Sequence, residues 1–194
     1  MNVKNWPLIL FVLGSIFQWY ILSGWISRSE QVISKGIYAK IPCRQVDPID
    51  PFRGAYLTVN PDPAVFEFDD SLQYMQGQEI WVNYSCYTDD VCSYYSIQQI
   101  DQSPEMPVHL RCKISSVYPY RKDDASHSSF TGTIEYPVSR FYFNEKLSDD
   151  ITDRYNKALR DTTQKVLAGI YVTEDGRAIL EGIWLGDTRL TQAQ

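Results

Sequence analysis

The sequence predicts a β-rich α+β protein: an N-terminal single transmembrane helix, then one mainly antiparallel β domain with one helix near the C-terminus. Three observations predict it. Residues Trp6 to Ile26 carry no charge. Beyond them, short stretches alternate polar and apolar residues at period two, the signature of half-buried strands. One later stretch, after Ser148, instead repeats apolar residues at helical spacing.

The apolar run comes first. At a rise of about 1.5 Å per residue it forms a helix about 30 Å long, the thickness of a hydrocarbon core. Trp6 near one end, and Trp19, Tyr20 and Trp25 near the other, are placed as interfacial anchors. A cleaved signal peptide has a shorter apolar region and small residues at its cleavage site, whereas Ser23-Gly24-Trp25-Ile26-Ser27 sets two bulky residues there. The expected organisation is a short tail over 1–5, an uncleaved signal anchor over 6–26, a stalk over 27–40 and a β-rich extracytoplasmic domain over 41–194.

Charge and cysteine argue opposite orientations. Lys4 precedes the span, while Arg28, Lys35, Lys40 and Arg44 follow it, so positive residues alone would leave the C-terminal side in the cytoplasm. All four cysteines, Cys43, Cys86, Cys92 and Cys112, lie beyond the span, as an oxidising compartment would have it. Large domains translocate largely regardless of flanking charge, so the cysteines decide for the extracytoplasmic side. With 18 Lys+Arg against 24 Asp+Glu the net charge is −6, which lacks the basic face that nucleic acid requires. The partners expected are the lipid bilayer and a multi-pass membrane protein, with no nucleic acid.

Along the domain, Pro42, Pro48, Pro51, Pro61 and Pro63 bracket a short apolar strand at Ala55 to Val59, since prolines belong in turns or at strand edges. Glu79 to Tyr84 alternates at period two, with Tyr94 to Ile100 as its weaker partner. Between them a polar loop is closed at both ends by Cys86 and Cys92, so pairing the strands brings the thiols together. Val108 to Ile114 is the clearest strand, with Val108, Leu110, Cys112 and Ile114 on one face and His109, Arg111 and Lys113 on the other. Cys112 then points inward, where Cys43 is the expected partner. Phe130 to Tyr136 and Arg140 to Phe143 follow as strands, broken at Pro137. Ser148 caps the helix, Asp149 and Asp150 suit its positive end, and Gly169 takes the position just past its C-terminus. Ile151, Tyr155, Leu159, Thr162 and Val166 form its apolar stripe. Gly169 to Val172 and Ala178 to Leu185 then make a hairpin about Asp175-Gly176.

Several segments resemble the GDYXXLXY-domain family of membrane-anchored bacterial proteins. The motif falls on Gly54-Ala55-Tyr56-Leu57-Thr58-Val59-Asn60-Pro61, preceded by Asp50-Pro51-Phe52-Arg53. Only Gly54 and Tyr56 agree outright; Ala55 replaces the motif aspartate, Val59 the leucine and Pro61 the final tyrosine. Arg140 to Glu145 is similar to the family's aromatic strand ending in glutamate, and the helix with the Asp175 to Leu180 turn to its C-terminal end. The resemblance implies a bacterial envelope protein, and with the anchor and the cysteines the expected place is the bacterial inner membrane, single-pass, with the C-terminal domain in the periplasm. The resemblance also implies neighbouring multi-pass proteins and no defined enzymatic activity.

Site motifs are sparse. Cys86 and Cys92 lie outside the usual zinc spacing, and the strand pattern opposes Cys112 to His109, so disulfides are expected in place of a metal site with His109 or His127. The acidic doublets lack the alternation and glycine of a calcium loop. No nucleophile elbow, S-x-x-K or H-E-x-x-H occurs, and Lys113 beside Arg111 faces water, so no catalytic residue and no cofactor is expected. The remaining candidates for binding are Arg53, Tyr56, Arg140, Tyr142 and Glu145, although the favoured reading of Glu145 with Arg140 or Arg53 is a structural ion pair that holds the strand end. The function expected is a non-enzymatic module that binds or supports another membrane protein. The alternatives are a small-molecule or glycan sensor and, behind it, an envelope hydrolase.

Overall fold

The computed structural model describes residues 6–44, 56–68, 74–87, 90–120, 129–143, 148–160 and 165–190. The first helix, α1 (Trp6–Lys35), is followed by β1 (Ile37–Arg44), β2 (Tyr56–Thr58), β3 (Asn60–Pro61), β4 (Val65–Phe68), β5 (Glu79–Cys86) and β6 (Cys92–Gln99). Then come β7 (Val108–Tyr120), β8 (Ser129–Glu135), β9 (Arg140–Tyr142), α2 (Ser148–Arg160), β10 (Val166–Val172), β11 (Ala178–Leu185) and β12 (Thr188–Leu190). The strands form two five-stranded sheets, β12-β11-β10-β1-β3 and β4-β8-β7-β5-β6, and a ribbon of β2 with β9. Every ladder within them is antiparallel. The predicted fold class is the observed one.

Both sheets feed one hydrophobic cluster. Ala39, Ile41, Ala168 and Ile170 come from the first sheet, Ile80, Val82, Tyr84, Leu110, Cys112 and Ile114 from the second. Alternation explains the second set, because residues two apart on β5 and β7 share a face. Leu57 of β2 and Ile151, Tyr155 and Ala158 of α2 complete it. Tyr155 also donates to the carbonyl of Thr58 at 3.3 Å, tying α2 to the ribbon. In the core Tyr136 donates to the carbonyl of Pro63 at 2.8 Å. The Tyr84 hydroxyl lies 2.9 Å from the carbonyl of Asp62 and 3.1 Å from the Tyr136 oxygen.

The second sheet is covered on its outer face too. The β10–β11 turn folds back over it, where Arg111 N–H donates to the carbonyl of Gly176 at 3.0 Å. The two ring nitrogens of His109 face the carbonyls of Met106 (2.8 Å) and Glu174 (2.9 Å). His109 is therefore buried although it lies on the face opposite Cys112. Arg111 and Lys113 beside it remain exposed, as their alternation predicts.

Two expectations need correction. The stretch predicted as a stalk over 27–40 is the last turns of α1 and the start of β1, because Ile37 to Pro42 pair with Val172 to Leu167 and so join the first sheet. The C-terminal helix ends at Arg160 in the structure, and Gly169, expected just past its end, lies in the middle of β10. There a Cβ would stand 2.5 Å from the Tyr38 hydroxyl, so glycine serves close packing of the sheet face rather than a helix stop. The predicted stripe residues Ile151 and Tyr155 are buried, whereas Val166 opens β10. Thr162 lies outside the described residues, as does the side chain of Leu159.

Candidate functional site

The β2–β9 ribbon brings three of the five candidate binding residues together. Tyr56 is the register partner of Tyr142, and Thr58 that of Arg140. The two tyrosine rings lie 5.7 Å apart and tilted, and the Arg140 guanidinium sits 5.5 Å from the centre of the Tyr56 ring. Alternation puts these three side chains on one face and turns Leu57 into the core. Tyr142 is 56% exposed, so the face presents a flat aromatic and cationic surface to its surroundings. Such a surface can stack on a planar or apolar partner. Arg53 and Glu145 lie outside the described residues, with Gly54 and Ala55 of the motif.

The cysteines divide. Cys86 and Cys92 face each other across the β5–β6 ladder and form a disulfide with an S–S distance of 2.02 Å. Cys43 and Cys112 do not form the expected second one; both are free thiols. Cys43 lies on β1 of the first sheet and Cys112 on β7 of the second. Burial pushes the Cys43 thiol up to about 12 and Cys112 well above its ordinary value, so both stay protonated near neutral pH.

A groove that the sequence did not reveal lies between β4 and β6, the two edges of the second sheet. It holds about 560 Å3 and is lined by Phe66, Phe68, Tyr74, Tyr94 and Ile97. Phe66 and Phe68 stack at 5.4 Å, and Tyr74 meets each of them edge-on at 5.2 Å. Burial raises the hydroxyls of Tyr74 and Tyr94 above their ordinary values. The signal was present as Val65-Phe66-Glu67-Phe68, which alternates at period two, but it is only four residues long and follows a proline-rich stretch.

Among the described residues, no three His, Cys, Asp or Glu side chains gather as a metal site. Lys113, considered as a catalytic base, lies exposed on the outer face of β7. The family described as GDYXXLXY protein matches residues 18–183, and it names no activity. No curated protein and no solved structure matches the chain.

Proposed function

The chain belongs to the GDYXXLXY protein family, and on that premise we propose that it is a non-enzymatic, membrane-anchored extracytoplasmic module that binds or supports another membrane protein. One observation carries this reading: α1 runs without a break from its apolar part into the domain. Val32 near its C-terminal end is 4% exposed. Gly36 follows with its N–H on the Val32 carbonyl at 2.8 Å, so close to Val172 that a Cβ would stand 3.2 Å from that residue's backbone. A membrane helix so joined holds its domain at a fixed angle, which suits a platform for a neighbour in the same bilayer. The rest of α1 exposes Leu10, Phe11, Phe17 and Trp19, a surface that lipid or another span covers. The Cys86–Cys92 disulfide supports the oxidising side of a bacterial inner membrane.

The test is affinity capture of the full chain from detergent-solubilised membranes after mild cross-linking. A multi-pass membrane protein recovered in near-stoichiometric amount is the expected result. Recovery of the chain alone, from cross-linked and uncross-linked membranes alike, sinks the reading.

A second reading, a small-molecule or glycan sensor, is favoured by the aromatic groove between β4 and β6, because sugar faces and planar ligands stack on exposed rings such as Tyr94, 41% exposed. Titration of the full chain with envelope oligosaccharides separates the two. Saturable binding abolished by Tyr94→Ala, with no membrane partner captured, transfers the function to the groove.

A further inference from the structure

Where α1 leaves its apolar run, an open groove of about 360 Å3 lies between helix and domain. Its walls are Trp25, Arg28 and Val32 of α1, Pro137 after β8, and Arg177 and Ile179 at the start of β11. Pro137 and Arg177 also border a second groove of about 280 Å3, whose other walls include Glu79, Arg111, Lys113 and Glu135. An apolar wedge beside the helix thus continues into a charged trough.

Height along α1 decides what meets this wedge. Ile26 ends the uncharged run. At about 1.5 Å per residue, Arg28 stands about 3 Å beyond it and Val32 about 9 Å. A headgroup layer is about 5–7 Å thick per leaflet, the difference between a hydrocarbon core of about 30 Å and a bilayer of about 40–45 Å. With the apolar run in hydrocarbon, the wedge opens at headgroup height. Trp25, 70% exposed, stands at its lower lip.

Charge narrows the occupant further. In the trough Arg177 is paired with Asp175 at 2.6 Å and Arg111 with Glu79 at 3.1 Å. Arg28, the third guanidinium bordering the two grooves, makes no hydrogen bond or ion pair among the described residues. One uncompensated guanidinium at the mouth of an apolar wedge matches one phosphodiester, whose oxygens accept its N–H groups in pairs.

We infer that this groove binds one bilayer phospholipid. Arg28 holds its phosphodiester, and its glycerol and first acyl methylenes lie toward Trp25, on the hydrocarbon side of Arg28. The lipid fills the gap between helix and domain and so fixes the domain on the membrane surface. The inference rests on the membrane-anchored reading above.

The experiment is native mass spectrometry of the full chain released from a mild non-ionic detergent, counting retained phospholipid. Wild type is expected to keep one per chain. Arg28→Gln lowers occupancy at least about tenfold, as loss of a charge-assisted contact implies. Ser29→Trp, which fills the groove from an exposed helix position, lowers it as far, Arg28→Lys keeps part of it, and Lys35→Gln, outside the groove, keeps it all. Millimolar inorganic phosphate leaves it in place. Equal occupancy in wild type, Arg28→Gln and Ser29→Trp overturns the site, and displacement by inorganic phosphate overturns the lipid as its ligand. Carbonate extraction of membranes carrying the same chains keeps the two ideas apart. A chain that resists extraction but holds no lipid loses this site alone, while a chain that carbonate releases loses the anchor and the site together.

Discussion

At the scale of single residues, burial and hydrogen bonding set the chemistry. Tyr136 donates to the Pro63 carbonyl inside the core, and burial raises its hydroxyl far above the ordinary tyrosine value. Tyr136→Phe strands that carbonyl and removes the oxygen beside Tyr84, so it should cost about 1–3 kcal/mol in urea unfolding of the full chain. Asp175 behaves in the opposite sense. Burial pushes its carboxyl up, but hydrogen bonds from Thr173 and Arg177 outweigh this and leave it below its ordinary value. A depressed carboxyl stabilises fully above its unfolded value, about 3.9, and loses that contribution as pH falls through the lower folded value. Melting temperature should therefore fall less steeply below about pH 4 in Asp175→Asn than in wild type. Parallel pH profiles of the two chains would refute the assignment. Alternation along the sequence places Arg140 and Tyr142 on one face of their strand, and only the β2–β9 pairing adds Tyr56 to that face. The burial of His109 was not legible from sequence, since what covers it arrives from residue Glu174, 65 positions away.

At the scale of elements, the β10–β11 turn is the piece whose fit matters most. Gly176 has φ of +73° and Gly77 has φ of +82°, a region that costs residues with a Cβ about 1–2 kcal/mol. Their surroundings differ. A Cβ at Gly77 meets nothing within 4 Å, whereas at Gly176 it would stand 2.4 Å from the Trp81 ring and 2.8 Å from the Arg111 backbone. Gly176→Ala should be the more destabilising of the two substitutions, by about 1–3 kcal/mol of overpacking, in the same denaturant titration. Equal costs would show that the turn does not bear on the second sheet. The turn itself was readable in Asp175-Gly176, and the disulfide in the short loop it closes. β1 and β4 were not. β1 follows directly on a helix and carries Pro42, and β4 is a four-residue edge, so each gains its place only by pairing with a distant strand.

At the scale of the whole molecule, one junction joins helix to domain. Val32 and Gly36 seat α1 against β10, and α1 touches β11 as well. Burying a valine is worth about 1.5–3 kcal/mol, so Val32→Asp should free the junction. Tryptic cleavage after Lys35 of the detergent-solubilised chain is then expected to quicken at least about tenfold, with the domain's own fragments still protected. An unchanged cleavage rate would mean that the contact holds nothing.

The sequence by itself determined the apolar helix, the alternating strands β5, β7 and β8, the Cys86–Cys92 pair and the family. Each is written in neighbouring residues, where helical or strand periodicity, loop length and turn chemistry act locally. Tertiary structure alone decided the rest. It put Cys43 and Cys112 on different sheets, drew β1 out of the expected stalk, opened the aromatic groove between two sheet edges, and set the wedge between α1 and the β10–β11 hairpin. These depend on which distant strands pair and which faces stack, and a contact between residues a hundred positions apart leaves no periodic trace in either segment.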